Sequence, residues 1–226
     1  MSRLLQKTVA LACLTLGSIS AHADNLAFGG YANGYQTVNF ALSGSNAPTS
    51  GYAGAGGFLA SLNGGASFVS YCVDLYQSIS FGGSGYNDYS RVNGSAHAFA
   101  NAHASADIGK LYSEHNVVND SVSQAAFQIA VWEIAYETSG TYNLGNGAAT
   151  FSGGTAASSG ALALASSWLG ALGNTANTYS LSVFESPTHQ DQVYAAPIPE
   201  PSTYAMMVAG LVGMGFIARR RSLRQS

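Results

Sequence analysis

The stretch SVSQAAFQIAVWEIAYET, residues Ser121–Thr138, decides how the chain is read. Phe127, Val131 and Ile134 recur at helical spacing, and Ala126, Ile129 and Ala130 lie beside them. The segment is apolar nearly all round, so it predicts a helix buried on every side rather than one lying on a surface. Ser121 followed by Gln124 reads as a capping box at its start, and Gly140 as its stop. A helix of this kind needs other layers around it. The flanking sequence supplies them mainly as strands.

Upstream, GFLASLNGGASFVSYCVDLYQSISF (Gly57–Phe81) reads as a hairpin. Phe58–Leu62 and Ser67–Phe81 are its strands, and Asn63-Gly64-Gly65 is its turn. Leu26–Leu42 predicts one or two further strands. Ser95–His115 gives a looser helix through Phe99, Ala102, Ala106, Ile108 and Leu111, weakened by Gly109. Downstream, Ala161–Leu172 predicts a short helix and Tyr179–Phe184 a last strand. The stretches Ser43–Gly57, Gly82–Tyr89 and Ser139–Gly160 read as loops from their Gly, Ser and Asn content. Strands, then helices, then a strand make an α+β class: a β-rich exported domain with two or three helices packed on strands. It is placed at residues 24–185, with a linker at 186–198.

Only 8% of the 226 residues are charged, and 47% are hydrophobic. Between Asp24 and Ile198 the basic residues are Arg91 and Lys110 against ten acids, a net charge of −8 with histidines neutral. Nucleic-acid binding is therefore not expected. No GxGxxG or GxxxxGK[ST] run occurs, so no phosphate-bearing cofactor is implied. His97 and His103 do not share a helix face, so no metal pair is expected. His115 and His189 read as solvent-facing.

Both ends stand apart from the domain. Residues 1–23 read as a secretory signal, with Arg3 and Lys7 before an apolar run and Ala21-His22-Ala23 as a small-x-small cleavage site. Cys13 would leave with it. At the other end Pro199-Glu200-Pro201 precedes an uncharged span at 202–218 and a basic block at 219–224 with Arg219, Arg220 and Arg221. The span is just long enough for one transmembrane helix, with the arginines cytoplasmic and the domain outside. This order resembles the PEP-CTERM sorting tail of Gram-negative bacteria that make extracellular polysaccharide. The resemblance implies recognition by exosortase, a membrane protease, so that the tail is a transient inner-membrane anchor and an address for the cell surface or matrix.

Two residues break the binary pattern. Cys72 sits between Tyr71 and Val73 in a strand, and Gln128 between Phe127 and Ile129 in a buried helix. As core residues, a free cysteine is a small hydrophobe and a buried glutamine is hydrogen-bonded. A second reading joins them. A thiol held against a carboxamide can displace ammonia and form an internal thioester, provided the thiolate is generated and the amide is fixed in place.

SYCVDLY and AFQIAVWEI resemble the two signatures of bacterial Cys–Gln thioester surface domains. Carried over by position, Cys72 is the thioester cysteine and Gln128 the acyl donor. Tyr71, Asp74, Ala130 and Trp132 form the frame. Phe127 stands where the family's adhesins carry Thr. The resemblance implies an acylating group that reacts once per molecule, not a turnover enzyme, with an amine or hydroxyl acceptor on a surface protein or extracellular polysaccharide. The alternatives are a non-reactive structural or adhesive protein of the exopolysaccharide layer and a Cys/His protease, for which no local nucleophile signature exists. A carbohydrate-binding module is a further alternative. It would use some of the 13 tyrosines, whose order along the chain marks no aromatic platform.

Overall fold

The computed structural model describes residues 23–44, 48–116, 118–199, 206–212 and 214. Six antiparallel strands close into a barrel in the order β1-β4-β5-β9-β8-β6. They are β1 (Asp24–Tyr31), β4 (Phe58–Leu62), β5 (Ser67–Cys72), β6 (Tyr86–Asn93), β8 (Tyr179–Glu185) and β9 (Gln192–Pro197). A separate three-stranded sheet runs β3-β2-β7, with β2 at Gln36–Leu42, β3 at Thr49–Ala55 and β7 at Ala149–Ser152. The helices are α1 (Ala104–His115), α2 (Ser121–Tyr136), α3 (Gly154–Ser158) and α4 (Ala161–Ala171).

The predicted hairpin is β4–β5, with Phe58 opposite Ser70 and Ser61 opposite Ser67. Asn63 and Gly64 both take positive φ, at 52° and 70°, as a tight turn matched to strand twist demands. The second strand stops at Cys72, not at Phe81.

The predicted central helix is α2. Every residue from Gln124 to Ala135 is buried, because α2 packs on β5 of the barrel, on all three strands of the second sheet, and on α1 and α4. Its start differs from the expected capping box. The cap is Asp120, whose carboxylate accepts from Val122 N and Ser123 N at 2.9 Å each. A carboxylate offers two acceptor oxygens to the free amides of the first turn. That leaves the Gln124 side chain free to leave the helix, and it does.

Three stretches read as loops contain structure. Ser43–Gly57 holds β3, Gly82–Tyr89 holds the start of β6, and Ser139–Gly160 holds β7 and α3. The stretches around these strands are rich in Gly, Ser and Asn, and β3 and β6 are largely exposed or half-buried, so sheet pairing rather than an apolar run sets them. The helix expected from Ser95 begins only at Ala104.

The 186–198 stretch is not all linker. β9 lies in the barrel between β5 and β8, with Val193 opposite Tyr71 and Gln192 opposite Cys72. Its polar look comes from Gln192, which is fully buried and accepts from Ser70 Oγ at 3.2 Å. Ile198 N still donates to Thr178 O. The last barrel strand thus ends at Pro197, two residues before Pro199.

Residues 1–22, which hold most of the predicted signal and Ala21, lie outside the described residues; Ala23 is exposed. Glu200, Pro201 and Arg219–Arg221 also lie outside them. Of the predicted span at 202–218, residues 206–212 and 214 are described, as exposed helix. Among the described residues no helix is long and apolar enough to cross a membrane.

Candidate functional site

Gln124 and Gln128 stand four apart on α2, on the same face one turn from each other. Each sends its carboxamide into the barrel wall. Gln124 Oε1 accepts from Gly57 N and from Tyr71 Oη, both at 2.9 Å, and its Nε2 donates to Val118 O. Gly57 must be glycine here, since a Cβ would stand 2.4 Å from Gln124 Oε1. Gln128 Oε1 accepts from Cys72 N at 2.9 Å, and Gln128 Nε2 donates to Cys72 O at 2.8 Å. The last residue of β5 thus hands both of its peptide groups to a helix side chain.

The Cys72 thiol is fully buried and donates to Asp74 O at 2.9 Å. Burial pushes its pKa well above the ordinary thiol value, so the resting group is a thiol. The Trp132 indole lies close enough to oppose that rise. Its buried Nε1–H nevertheless makes no hydrogen bond, so the geometry there is proximity without a formed bond. The Trp132 ring stacks on Phe151 of β7, 6.1 Å between centroids. Tyr71 packs its ring 4.4 Å from Phe127.

Beside this pair lies a cleft of about 680 Å³. Val73, Asp74, Tyr136, Asp191, His97 and Phe99 are among its walls. Tyr136 Oη accepts from Leu75 N at 2.6 Å, and Asp74 Oδ1 accepts from Tyr76 N. Burial raises the carboxyl of Asp74, against hydrogen bonds from Tyr76 and Gln77. Burial also pushes Asp191 up to about 6. His97 Nδ1 pairs with Glu185 at 2.6 Å. Two carboxyls that burial raises, Asp74 and Asp191, therefore stand near the thiol.

Of the predicted site residues, Cys72, Tyr71, Asp74, Gln128, Ala130 and Trp132 gather where β5 meets α2. Ala130 is wholly buried. Gln124, Tyr136 and Asp191 belong to the same region and were not read as site residues from the sequence; His97, weighed there as one of a metal pair, lines the same cleft as Tyr136 and Asp191. Gln124 carried a signal, its spacing of four from Gln128, but it was read as part of a cap. Asp191 and His97 are distant in sequence and only the barrel closure brings them in.

Among the described residues no histidine bonds the Cys72 thiol. Ser186, His189 and Asp88 do cluster, but Ser186 Oγ donates to Asp88 Oδ2 and the His189 Nδ1 faces the same carboxylate. Ser186 Oγ also lies 3.5 Å from His189 Nδ1 and accepts from Thr188 N and His189 N, which closes a turn. His115 is half-buried, stacked on Trp168 at 4.1 Å, and His189 is also half-buried, unlike the solvent-facing positions expected. Among the described residues no group of three or more His, Cys, Asp or Glu side chains is placed to hold a metal.

Residues 197–221 match the PEP-CTERM protein-sorting motif. The chain is therefore an exported, surface-directed protein of the kind processed by exosortase at the membrane. Its structure is similar to the N-terminal domain of the Streptococcus pyogenes pilus tip adhesin Cpa. The identity is 15% and the TM-score 0.47, over 80% of this chain and 97% of that one. It is also similar to the N-terminal thioester domain of the fibronectin-binding protein SfbI from Streptococcus pyogenes. There the identity is 15% and the TM-score 0.46, over 80% and 95% of the two chains. A cysteine-to-alanine variant of the N-terminal thioester domain of a Clostridium perfringens surface protein is similar at 11% identity and TM-score 0.36, over 71% and 99%. No curated protein matches the chain.

Proposed function

We propose that this exported protein carries an internal thioester between Cys72 Sγ and Gln128 Cδ and uses it to attach itself covalently, once, to a surface acceptor. The observation that carries the reading is the clamp of the Gln128 carboxamide on the Cys72 peptide groups. The Cys72 N–H polarises the amide carbonyl and stands ready for the negative charge that develops on Oε1 during attack. The clamp also fixes the carboxamide, which an electrophile as poor as an amide requires.

In the proposed step Cys72 Sγ bonds to Gln128 Cδ and the Cδ–Nε2 bond breaks. The thiol proton ends on the departing nitrogen, which leaves as ammonia. Because burial keeps the thiol neutral, its proton leaves as the bond forms. An acceptor amine or hydroxyl, on a neighbouring surface protein or on extracellular polysaccharide, then enters by the cleft walled by Asp74, Tyr136 and Asp191. Acyl transfer gives an amide or ester at Gln128 and restores the Cys72 thiol. The tail would hold the protein transiently in the inner membrane through residues 202–218 before exosortase sends it to the cell surface or matrix.

A second reading, a non-reactive matrix protein, is supported by Gln124. It clamps the barrel in the same manner one turn earlier with no thiol in reach. Methylamine separates the two. The thioester reading expects one methylamine on Gln128 and one newly titratable thiol per chain, and neither change in Cys72→Ala. No incorporation into the wild type would leave the pair as a structural clamp.

A further inference from the structure

A second cleft, of about 330 Å³, lies where β5, β9, α1 and the start of α2 meet. It shares no wall residue with the cleft beside the thiol. Its β5 residues are Val69 and Tyr71, which by strand alternation face away from Cys72. Tyr71, Tyr112, Tyr179 and Tyr194 line it, with the amides of Asn116 and Gln124.

The aromatic rings are ordered as a platform. Tyr112 and Tyr179 stack at 5.9 Å with planes 22° apart. Tyr71 stands edge-on to Tyr112 at 6.1 Å. The polar groups are pre-arranged too. Asn116 Nδ2 donates to Tyr179 Oη, and Tyr71 Oη donates to Gln124 Oε1. The exception is Tyr112. It is only 7% exposed, and its hydroxyl has no hydrogen-bond partner. A buried unpaired hydroxyl costs about 1–3 kcal/mol, so a native structure holds one where something else pairs it.

No charged side chain lines this cleft, so nothing in it selects an ion. A purely apolar ligand would strip water from the exposed amides of Asn33, Asn116 and Asn119 that line it and give nothing back. The chemistry that matches stacked rings, neutral amides and an unpaired hydroxyl is a neutral ring with an apolar C–H face and a rim of hydroxyls. The volume stands at the small end of ligand pockets. We infer that this cleft binds one neutral pyranose unit of a saccharide. The ring face lies on Tyr179, and the hydroxyls meet Asn116 and the Tyr112 hydroxyl. The site holds the chain on a glycan without chemistry and is independent of the Cys72–Gln128 bond.

The test uses the full chain in detergent with three neutral disaccharides: cellobiose, N,N′-diacetylchitobiose and a β-linked galactobiose. Binding is followed by saturation-transfer NMR and by calorimetry. At least one should bind with Kd of about 10 mM or tighter. Tyr179→Ala and the isosteric Tyr112→Phe should each weaken it tenfold or more, with thermal unfolding confirming the fold. Cys72→Ala and Asp191→Asn should bind as the wild type does. The inference is overturned if none of the three saturates, or if binding survives both tyrosine substitutions. Methylamine uptake without saccharide binding would sink this site alone. Saccharide binding without methylamine uptake would sink the thioester alone.

Discussion

Gln128 holds Cys72 by both of its peptide groups, Oε1 on the amide at 2.9 Å and Nε2 on the carbonyl at 2.8 Å. One side chain thereby joins the central helix to the end of a barrel strand. The site is assembled only when the helix has docked, so folding must precede any chemistry between the two residues.

Removing the clamp should cost stability whether or not a bond forms. Gln128→Ala leaves the buried Cys72 N–H and C=O unpaired and opens a cavity. A loss of about 2–5 kcal/mol is expected, read from urea unfolding. Gln124→Ala should lose a similar amount, since it strands Gly57 N and Tyr71 Oη. A loss below about 1 kcal/mol for both would show that the two amides do not hold helix and barrel together.

Trp132 presents a buried N–H with no acceptor beside a thiol. Such a donor favours negative charge on sulfur or on the attacked carbonyl. Trp132→Phe keeps most of the stacking on Phe151 and removes the donor. It should slow thioester formation by about 10-fold or more while unfolding at a similar denaturant concentration. The readout is the fraction of chains lacking ammonia with time after refolding. An unchanged rate would show that the indole only packs.

Glu133 gives the protein a pH signature. It lies on α2, fully buried; Oε1 accepts from Asn143 N at 2.6 Å and Oε2 has no partner. Burial, helped by the nearby Glu137, pushes its pKa from 4.5 up to about 7 against that one hydrogen bond. Between those values the folded chain keeps a proton that the unfolded chain has released. Stability should therefore fall as pH rises from 4.5 through 7 and flatten above, by about 3 kcal/mol in all. Asp191, raised by burial to about 6, adds in the same direction. Glu137 behaves oppositely. Burial pushes it up, but hydrogen bonds from Ala148, Ser139 and Thr138 outweigh this and lower it, so its contribution fades only as pH falls below 4.5. Denaturant unfolding of Glu133→Gln across pH 4.5–8 should show most of the decline gone. A wild type equally stable across that range would contradict the assignment.

The cap assignment is open to a simple comparison. Asp120→Ala removes the acceptor of two first-turn amides and should lower the melting temperature. Ser121→Ala removes only the acceptor of Gln36 Nε2 at 3.0 Å, and should cost less. The reverse order in melting temperatures would restore the capping box.

How far the sequence was legible follows from where information is local. α2 was visible because its apolar periodicity runs unbroken, and the β4–β5 hairpin because Asn63-Gly64 encodes its own turn. β3, β6 and β7 were invisible because they are short or broken by Gly, Ser, Asn and Asp with no sustained apolar alternation, and most of their partners lie elsewhere in the chain. β9 was hidden by Gln192, whose polarity is satisfied by Ser70 across the barrel. The same holds at the site. Cys72 and Gln128 stood out by contrast with apolar neighbours. Asp191 and His97 stand out only when the barrel closes. The tyrosine platform also comes from separate segments, α1, β5, β8 and β9, so no local order could announce it.

The central claim is the bond itself, and intact mass of the protein tests it most directly. For the chain without residues 1–23, which carry the other cysteine, Cys13, the account predicts a mass below that of its sequence by one ammonia, with no thiol titratable after unfolding in acid, and full sequence mass in both Cys72→Ala and Gln128→Ala. A wild type at full mass with one titratable thiol from Cys72 would contradict it.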